Sequence, residues 1–399
     1  MTAPWLTLIG IGEDGVLAPG GADCLARADI VYGGARHLTL AGDLQAEKRP
    51  WPSPFATVFA DLKALTGRRI AVLATGDPMW FGIGSSLLKH FSAAEMTVLP
   101  SLSAFQLAAS RMGWALQDCD CLSVHGRPVD HLRAALYPDA RLLVLTSNAD
   151  AVRQIADLLA DEGYGGTEMT VLEHLGGGKE RRVSGTAENW TENVADFHTL
   201  ALEAVADPGL RITARAPGLA DDAFRHDGKM TKQEIRAVTL AELKPHPGAL
   251  LWDIGSGCGS VAIEWLRAAA RTRAIGLEPH GERRLMAAEN AVALGVPHLD
   301  LKDLSAPAGL EGLPQPDAVF IGGGLTEPGL VDTVLTALPS GGRLVANAVT
   351  LESEAVLLKH YRSLGGGLRR LSVQRASAVG GMTGWRPAMP VTQWSLTKP

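Results

Sequence analysis

Asp253, Gly255, Gly257 and Gly259 occupy alternate positions of the segment Trp252-Asp253-Ile254-Gly255-Ser256-Gly257-Cys258-Gly259-Ser260. The apolar run Leu250 to Trp252 leads into it, and a helix-compatible run opens at Val261. Glycines here let the backbone turn sharply and let a ligand touch the main chain. Glu278 follows about 20 residues further on, at the close of the next apolar run, where an acid can accept both hydroxyls of a ribose. A dinucleotide loop would read G-x-G-x-x-G, with helix-terminal amides facing a pyrophosphate. The spacing here is G-x-G-x-G, and Ser260 stands where the third glycine of that pattern would be. The pattern favours a nucleoside ligand without a pyrophosphate. S-adenosylmethionine fits, with NAD and an ordinary strand–turn–helix connection as alternatives.

A second set of loops lies in the first half of the chain. Leu6 to Ile9 runs into Gly10-Ile11-Gly12-Glu13-Asp14-Gly15. Ile70 to Ala74 runs into Thr75-Gly76-Asp77-Pro78, followed by Gly82 and Gly84. Two glycine-rich turns after two strands place flexible backbone at the carboxyl edge of one sheet, where open α/β sheets bind ligands. Asp77 either contacts a ligand or caps the turn that Pro78 fixes. His125 and Arg127 follow another short apolar run; a lone histidine is more often a structural group than a functional one.

The elements that must carry these loops are α/β in character. Strand-like runs recur at Ile30–Tyr32, Leu142–Leu145, Thr170–Leu172 and Leu200–Val205, with helical stretches such as Ala149–Asp161 between them. The turn-rich stretch 206–225, with Asp207-Pro208-Gly209 and Ala216-Pro217-Gly218, reads as a linker between domains 1–205 and 226–399. Beyond it, Thr231 and Glu234 have capping-box spacing before a helix. Strands are expected at Leu250, Ala274, Ala318–Ile321 and Arg343–Ala346, and Val373–Ala376 with Pro390–Leu396 read as a terminal hairpin. The 399 residues suit two domains, and 46% hydrophobic residues suit well-filled cores. A net charge of −6 argues against a nucleic-acid partner. The four cysteines form no C-x-x-C pair, so no metal site is expected and a reducing cytoplasm fits. No export signal is evident at Met1–Gly10, and no apolar run of about 18 residues suggests a membrane span.

Several motifs together carry a resemblance. "LIGIGEDG", "VYGGARHL", "VLATGDPMWFGIG", "LPSLSAFQLAASRMGW" and "LSVHGR" resemble the tetrapyrrole methylase family, in the branch acting on precorrin-6. Glu13-Asp14-Gly15 replaces the proline-glycine-aspartate of many relatives. "DGKMTKQEIRAVTLAEL", "LLWDIGSGCGSVAIEW", "IGLEPHGERRLMAAENAVALG", "AVFIGGG" and "RLVANAVTLES" resemble the decarboxylating precorrin methylases. The resemblance implies a tetrapyrrole-methylase fold of two α/β subdomains, followed by a Rossmann-like class I methyltransferase domain. It implies S-adenosylmethionine at two sites per chain. The first would use Gly10, Gly12, Gly76, Asp77, Pro78, Ser103, Ala104, Leu145 and Thr146. The second would use Thr231, Gly255, Ser256, Gly257, Cys258, Gly259, Glu278, Ala306 and Gly322. Relatives often carry an acid where this chain has Ser305, so adenine recognition there would rest on the Ser305 hydroxyl or backbone. The implied reaction is methylation of a reduced precorrin-6 at carbons 5 and 15, with loss of the ring C acetate carboxyl, giving precorrin-8 on the way to cobalamin. Relatives also suggest a homo-oligomer.

Such a substrate carries several carboxylates, and basic side chains must neutralise them. His125, Arg127, Lys229, Lys232, Arg236, Arg375 and Arg386 are the candidates, with His226 and Arg369-Arg370 weaker. Electron-rich bridge carbons need no strong protein nucleophile, and no Ser-His-Asp constellation is expected. Two rivals are an RNA or protein methyltransferase with two cofactor domains and a non-catalytic scaffold retaining the folds. The acidic balance weighs against RNA, and the intact glycine loops weigh against a scaffold.

Overall fold

The computed structural model describes residues 4–399. Residues 1–3, the start of the segment read for an export signal, lie outside the described residues. The chain divides into two compact units: the described residues up to Val129 with Tyr137–Leu210, and Asp130–Leu136 with Arg211–Pro399.

The first unit holds two five-stranded sheets. One comprises β1 (Leu6–Ile11), β2 (Ile30–Gly33), β3 (Glu47–Pro50), β4 (Ile70–Thr75) and β5 (Met96–Leu99), in the order β3-β2-β4-β1-β5. All its pairings are parallel, so β4 and β5 flank β1 and their carboxyl ends converge. Its three central strands, β2, β4 and β1, are apolar and almost wholly buried, as expected where both faces are covered, whereas the edge strand β3 is charged and exposed. Leu6 and Leu8 pack into one cluster, and Ile9 and Ile11 into another. The second sheet comprises β6 (Asp120–Ser123), β7 (Arg141–Leu145), β8 (Glu168–Glu173), β9 (Arg181–Thr186) and β10 (His198–Glu203), in the order β6-β7-β10-β8-β9. Its one parallel pairing is β6 with β7.

The second unit is built on a seven-stranded sheet. Its strands are β11 (Leu250–Ile254), β12 (Arg273–Leu277), β13 (Asp300–Lys302), β14 (Ala318–Ile321), β15 (Arg343–Ala348), β16 (Gly367–Leu371) and β19 (Val391–Thr397), in the order β13-β12-β11-β14-β15-β19-β16. The chain winds outward from β11 through β12 to β13, then returns to β14 on the other side. The gap between β11 and β14 is thus the point where strand order reverses, the usual ligand crevice of an open α/β sheet. Leu250, Trp252 and Ile254 face one core cluster and Leu251 the opposite one.

Two local readings need correction. Val373–Ala376 and Pro390–Leu396 do not pair with each other. The segment β17 (Gln374–Val379) instead pairs with β18 (Met382–Pro387) across Gly380-Gly381, while β19 runs antiparallel between β15 and β16. A two-residue Gly-Gly loop is the turn signal that marks this hairpin. Thr231 and Glu234 form no capping box either. The helix Gln233–Leu243 begins after Lys232 without a side-chain cap, because the Glu234 carboxylate is drawn to Arg375 at 2.6 Å.

Arg236 is the third departure. It is fully buried, and its Nε donates to Glu264 at 2.5 Å. Its remaining donors reach the carbonyls of Thr231 and Leu219, and its guanidinium lies over the Phe224 ring at 4.7 Å. Glu264 also accepts from the backbone amides of Gly218 and Leu219. This ion pair clamps residues 218–221 and the start of one helix onto the helix Ser260–Ala268. It positions the site and is not available to a substrate carboxylate. Removing one partner of such a pair leaves a buried charge, a loss of about 3–5 kcal/mol. Glu264→Ala should therefore speed hydrogen exchange in the helix Gln233–Leu243 of the intact chain. Unchanged exchange would show that the clamp is not needed there.

Candidate active sites

Among the described residues each unit has a large cavity at the carboxyl ends of its strands. In the second unit it measures about 680 Å³ and is lined by Gly255, Ser256, Gly257, Glu278, Gly322 and Thr231, among others. Gly255, Gly257 and Gly259 all take positive φ, at 71°, 58° and 80°. A Cβ on Gly255 would lie 2.8 Å from the backbone nitrogen of Gly323, so the loops after β11 and β14 meet where only glycine fits.

The acids of this cavity are held rigidly. Glu278 is buried; one carboxylate oxygen accepts from the Gly257 amide at 2.9 Å and the other from the His280 amide at 3.0 Å. Each oxygen keeps a further lone pair for a ligand hydroxyl. Asp253 is also buried, and its Oδ2 accepts from Ser256 Oγ and the Ala262 amide. Its Oδ1 has no partner although it is buried. Burial pushes its pKa up to about 7, opposed by those two hydrogen bonds and assisted by the neighbouring Glu278 charge. Asp253 also lines the cavity, which leaves this oxygen open to a ligand hydrogen bond.

Lys229, Lys232 and Arg375 line the same cavity. Arg375 is already paired with Glu234 and Asp221, which leaves the two lysines as the cations there without an ion pair among the described residues. Arg283 also lines it, bridged to Asp227 at 2.9 Å, and so does Asn347, which donates to Thr239 Oγ1. Neither was evident from local sequence. Cys258, Gly259, Ser305, Ala306 and Arg386 do not line it. Cys258 and Gly259 shape the loop from behind, with Gly259 packed on Ala287. Ser305 is exposed, and Ala306 packs against the core. Arg386 stands opposite Arg375 on the exposed β17–β18 hairpin. Of the weaker candidates, Arg369 and Arg370 pair with Glu242 and Glu354, and His226 accepts from the Gly228 amide.

The cavity of the first unit measures about 720 Å³. It gathers Gly12, Gly76, Asp77, Ser103, Ala104, Leu145 and Thr146 from the ends of four strands, together with His125 and Arg127 from a fifth. Gly10 and Pro78 stand behind its wall. A Cβ on Gly10 would lie 2.1 Å from the Gly76 carbonyl oxygen, and one on Gly76 would lie 2.6 Å from that of Leu102. The loops after β1, β4 and β5 therefore touch backbone to backbone. Asp77 accepts from the Met79 amide at 2.8 Å and so holds the turn, while still facing the cavity. Ser103 caps the helix Ala104–Met112 in a box with Gln106. His125 Nδ1 donates to the Thr146 carbonyl, and Thr146 Oγ1 meets His198 Nε2 at 2.7 Å. His37, Glu13 and His174 also face this cavity. Burial, then the Arg36 charge, pushes the His37 pKa down to about 4.

The raised Asp253 pKa has a consequence for stability. Between its unfolded value of 3.8 and its folded value of about 7, the folded chain holds a proton that the unfolded chain has released. Stability of the second unit should then fall as pH rises through that window and level off above it. Asp253→Asn should lack this decline, so its thermal stability relative to the parent should improve from pH 4 to pH 7. Parallel pH dependence in the two proteins would mean that Asp253 is ionised in the folded chain.

Known proteins bear on both cavities. A family model for tetrapyrrole (corrin/porphyrin) methylases matches residues 6–190, and one for a precorrin methyltransferase domain matches residues 222–398. A Sinorhizobium protein named precorrin-6Y C(5,15)-methyltransferase (decarboxylating) is 50% identical over 402 aligned residues, covering 100% of this chain and 97% of that one. Shorter relatives match less than half of the chain. A Salmonella typhimurium cobalt-precorrin-7 C(5)-methyltransferase is 30% identical over 44% of this chain and 88% of its own length. A Pyrobaculum aerophilum protein named as a probable cobalt-precorrin-6B C(15)-methyltransferase (decarboxylating) is 33% identical over 44% of this chain and 93% of its own. With full-length identity of this order joining both halves in one order, the chain belongs to the precorrin-6Y C(5,15)-methyltransferase (decarboxylating) family.

Proposed function

We propose that this methyltransferase binds one S-adenosylmethionine in each unit. On this reading it methylates a reduced precorrin-6 at carbon 15 with decarboxylation in the second unit, and at carbon 5 in the first, yielding precorrin-8 for cobalamin synthesis. The observation that carries the reading is a separate cavity in each unit, each at the carboxyl edge of its own sheet and each lined by its own glycine loops. Shorter relatives, named for the carbon 5 and the carbon 15 reaction separately, support a division between the halves. All four cysteines are free, in keeping with a cytoplasmic setting. Assembly into a homo-oligomer is proposed on family resemblance alone.

The residues fit these tasks in different ways. Gly255–Gly257 and Glu278 would hold the nucleoside, with Asp253 Oδ1 facing its positive end. In the first unit Gly12, Gly76, Asp77, Ser103, Ala104 and Thr146 would do so. Bound S-adenosylmethionine supplies the methyl group. The protein must align the bridge carbon with it, at roughly 3–3.5 Å, and keep water away. Lys229 and Lys232 would pair with substrate carboxylates. Their place on the segment before the helix Gln233–Leu243 suits a cover over the cavity. Loss of carbon dioxide needs an electron sink, and a protonated ring nitrogen of the conjugated macrocycle is one, so no lysine Schiff base is required.

Mass spectrometry of the intact enzyme's products separates the steps. The parent should add two methyl groups of about 14 mass units each and lose about 44 as carbon dioxide. Gly257→Arg, which fills the second cavity, should release no carbon dioxide. Thr146→Arg, which fills the first, should stop at a product lighter than substrate by about 30 mass units. Carbon dioxide release that disappears only in Thr146→Arg would reverse the assignment.

A further inference from the structure

The first cavity contains a side-chain cluster beyond the residues assigned above to the cofactor. Glu13 leaves the loop after β1 with its side chain only 13% exposed. One carboxylate oxygen is ion-paired with Arg36, and the other meets His174 Nδ1 at 3.0 Å. Arg36 is fixed in turn by Thr75 Oγ1 at 2.9 Å and by the Phe197 ring, 3.9 Å beneath its guanidinium. A carboxylate is an acceptor, so Nδ1 of His174 carries a hydrogen, and in the neutral imidazole Nε2 is then the lone-pair nitrogen. Nε2 makes no hydrogen bond among the described residues, and His174 lines the cavity. The backbone is bent to achieve this: His174 has φ of 46°, a region that side chains other than glycine seldom occupy. Gly177 completes the approach, since a Cβ there would lie 2.5 Å from Glu13 Cγ.

We infer that His174, oriented by Glu13, accepts the proton released when the bridge carbon is methylated in the first unit; this rests on the function proposed above. The bridge carbon forms its bond to the methyl group with a ring electron pair. The sulfur–methyl bond breaks, and its electrons stay on sulfur. The hydrogen on that carbon then leaves as a proton to His174 Nε2, and the carbon–hydrogen electron pair restores conjugation. The imidazolium is stabilised by Glu13 until it yields the proton to water, the service a carboxylate gives an oriented histidine elsewhere. The other imidazoles of the cavity are less suited. Both His198 nitrogens are engaged, by Thr146 Oγ1 and the Ala195 carbonyl. His37 is bonded to Thr75 and is too weak a base. His125 is oriented only by a carbonyl, with no charge to stabilise its protonated form.

The intact enzyme carries its own control, because the carbon 15 step occurs in the other unit. In single-turnover experiments His174→Gln should slow the second methylation by about 10²-fold or more, with KM for cofactor and the first methylation with decarboxylation unaltered. Imidazole added to His174→Ala should restore part of the rate. Glu13 is a positioning residue, and its role can be read without turnover. Nitrogen-15 NMR of the ligand-free chain should show His174 as the Nδ1–H tautomer, and Glu13→Gln should redistribute it. A parental enzyme that adds only one methyl group would defeat the function proposed above. A parent that adds two, with His174→Gln equally fast, or an Nε2–H tautomer of His174, would overturn this inference.

Discussion

Both cavities exist because backbone segments approach one another more closely than any side chain would permit. In the second unit the contact is between Gly255 and Gly323, at the point where strand order reverses. In the first it is between Gly10, Gly76 and the chain at Ser101–Ser103, after three adjacent parallel strands. A methyl group at Gly10 or Gly255 would push these loops apart by displacing backbone, which cannot swing aside as a flexible side chain can. Parallel strands with both faces covered bring the loops to one edge, and glycine lets them close into a binding surface.

Buried charge then fixes what the surfaces present. Glu278 is held by two backbone amides, Glu264 by two amides and Arg236, and Glu13 by Arg36 and His174. Asp253 differs, since one of its oxygens is left without a partner. Satisfied acids hold geometry, whereas an unsatisfied one marks where a ligand must complete the network. The two units therefore use carboxylates in different ways. The second presents an unpartnered oxygen and two lysines without an ion pair among the described residues. The first spends its buried carboxylate on orienting a histidine.

Local signals in the sequence were enough for the glycine loops and for the strands β11, β12, β14, β15 and β19. Each depends on residues close together in the chain, or on apolar runs whose period and length speak for themselves. Contacts between distant segments were not legible. Arg236 reads as a substrate ligand because nothing near it in sequence reveals Glu264, its partner inside the core. Glu13 and His174 are 161 residues apart, and Asn347 meets Gln393 and Thr239 across three elements. A motif match says nothing of surroundings, and the chain leaves Ser305 exposed beyond the residues that line the cavity. The β17–β18 hairpin has its turn signal in Gly380-Gly381, but its strands are largely exposed, whereas β19 is buried and carries the stronger apolar pattern.

The central claim is that one chain houses two independent cofactor sites. Titration calorimetry of the intact protein with S-adenosylmethionine tests it most directly, because it counts sites without requiring the tetrapyrrole. The account predicts two sites per chain in the parent and one in Gly257→Arg, the survivor keeping its parental affinity. One site in the parent that Gly257→Arg leaves in place would contradict it.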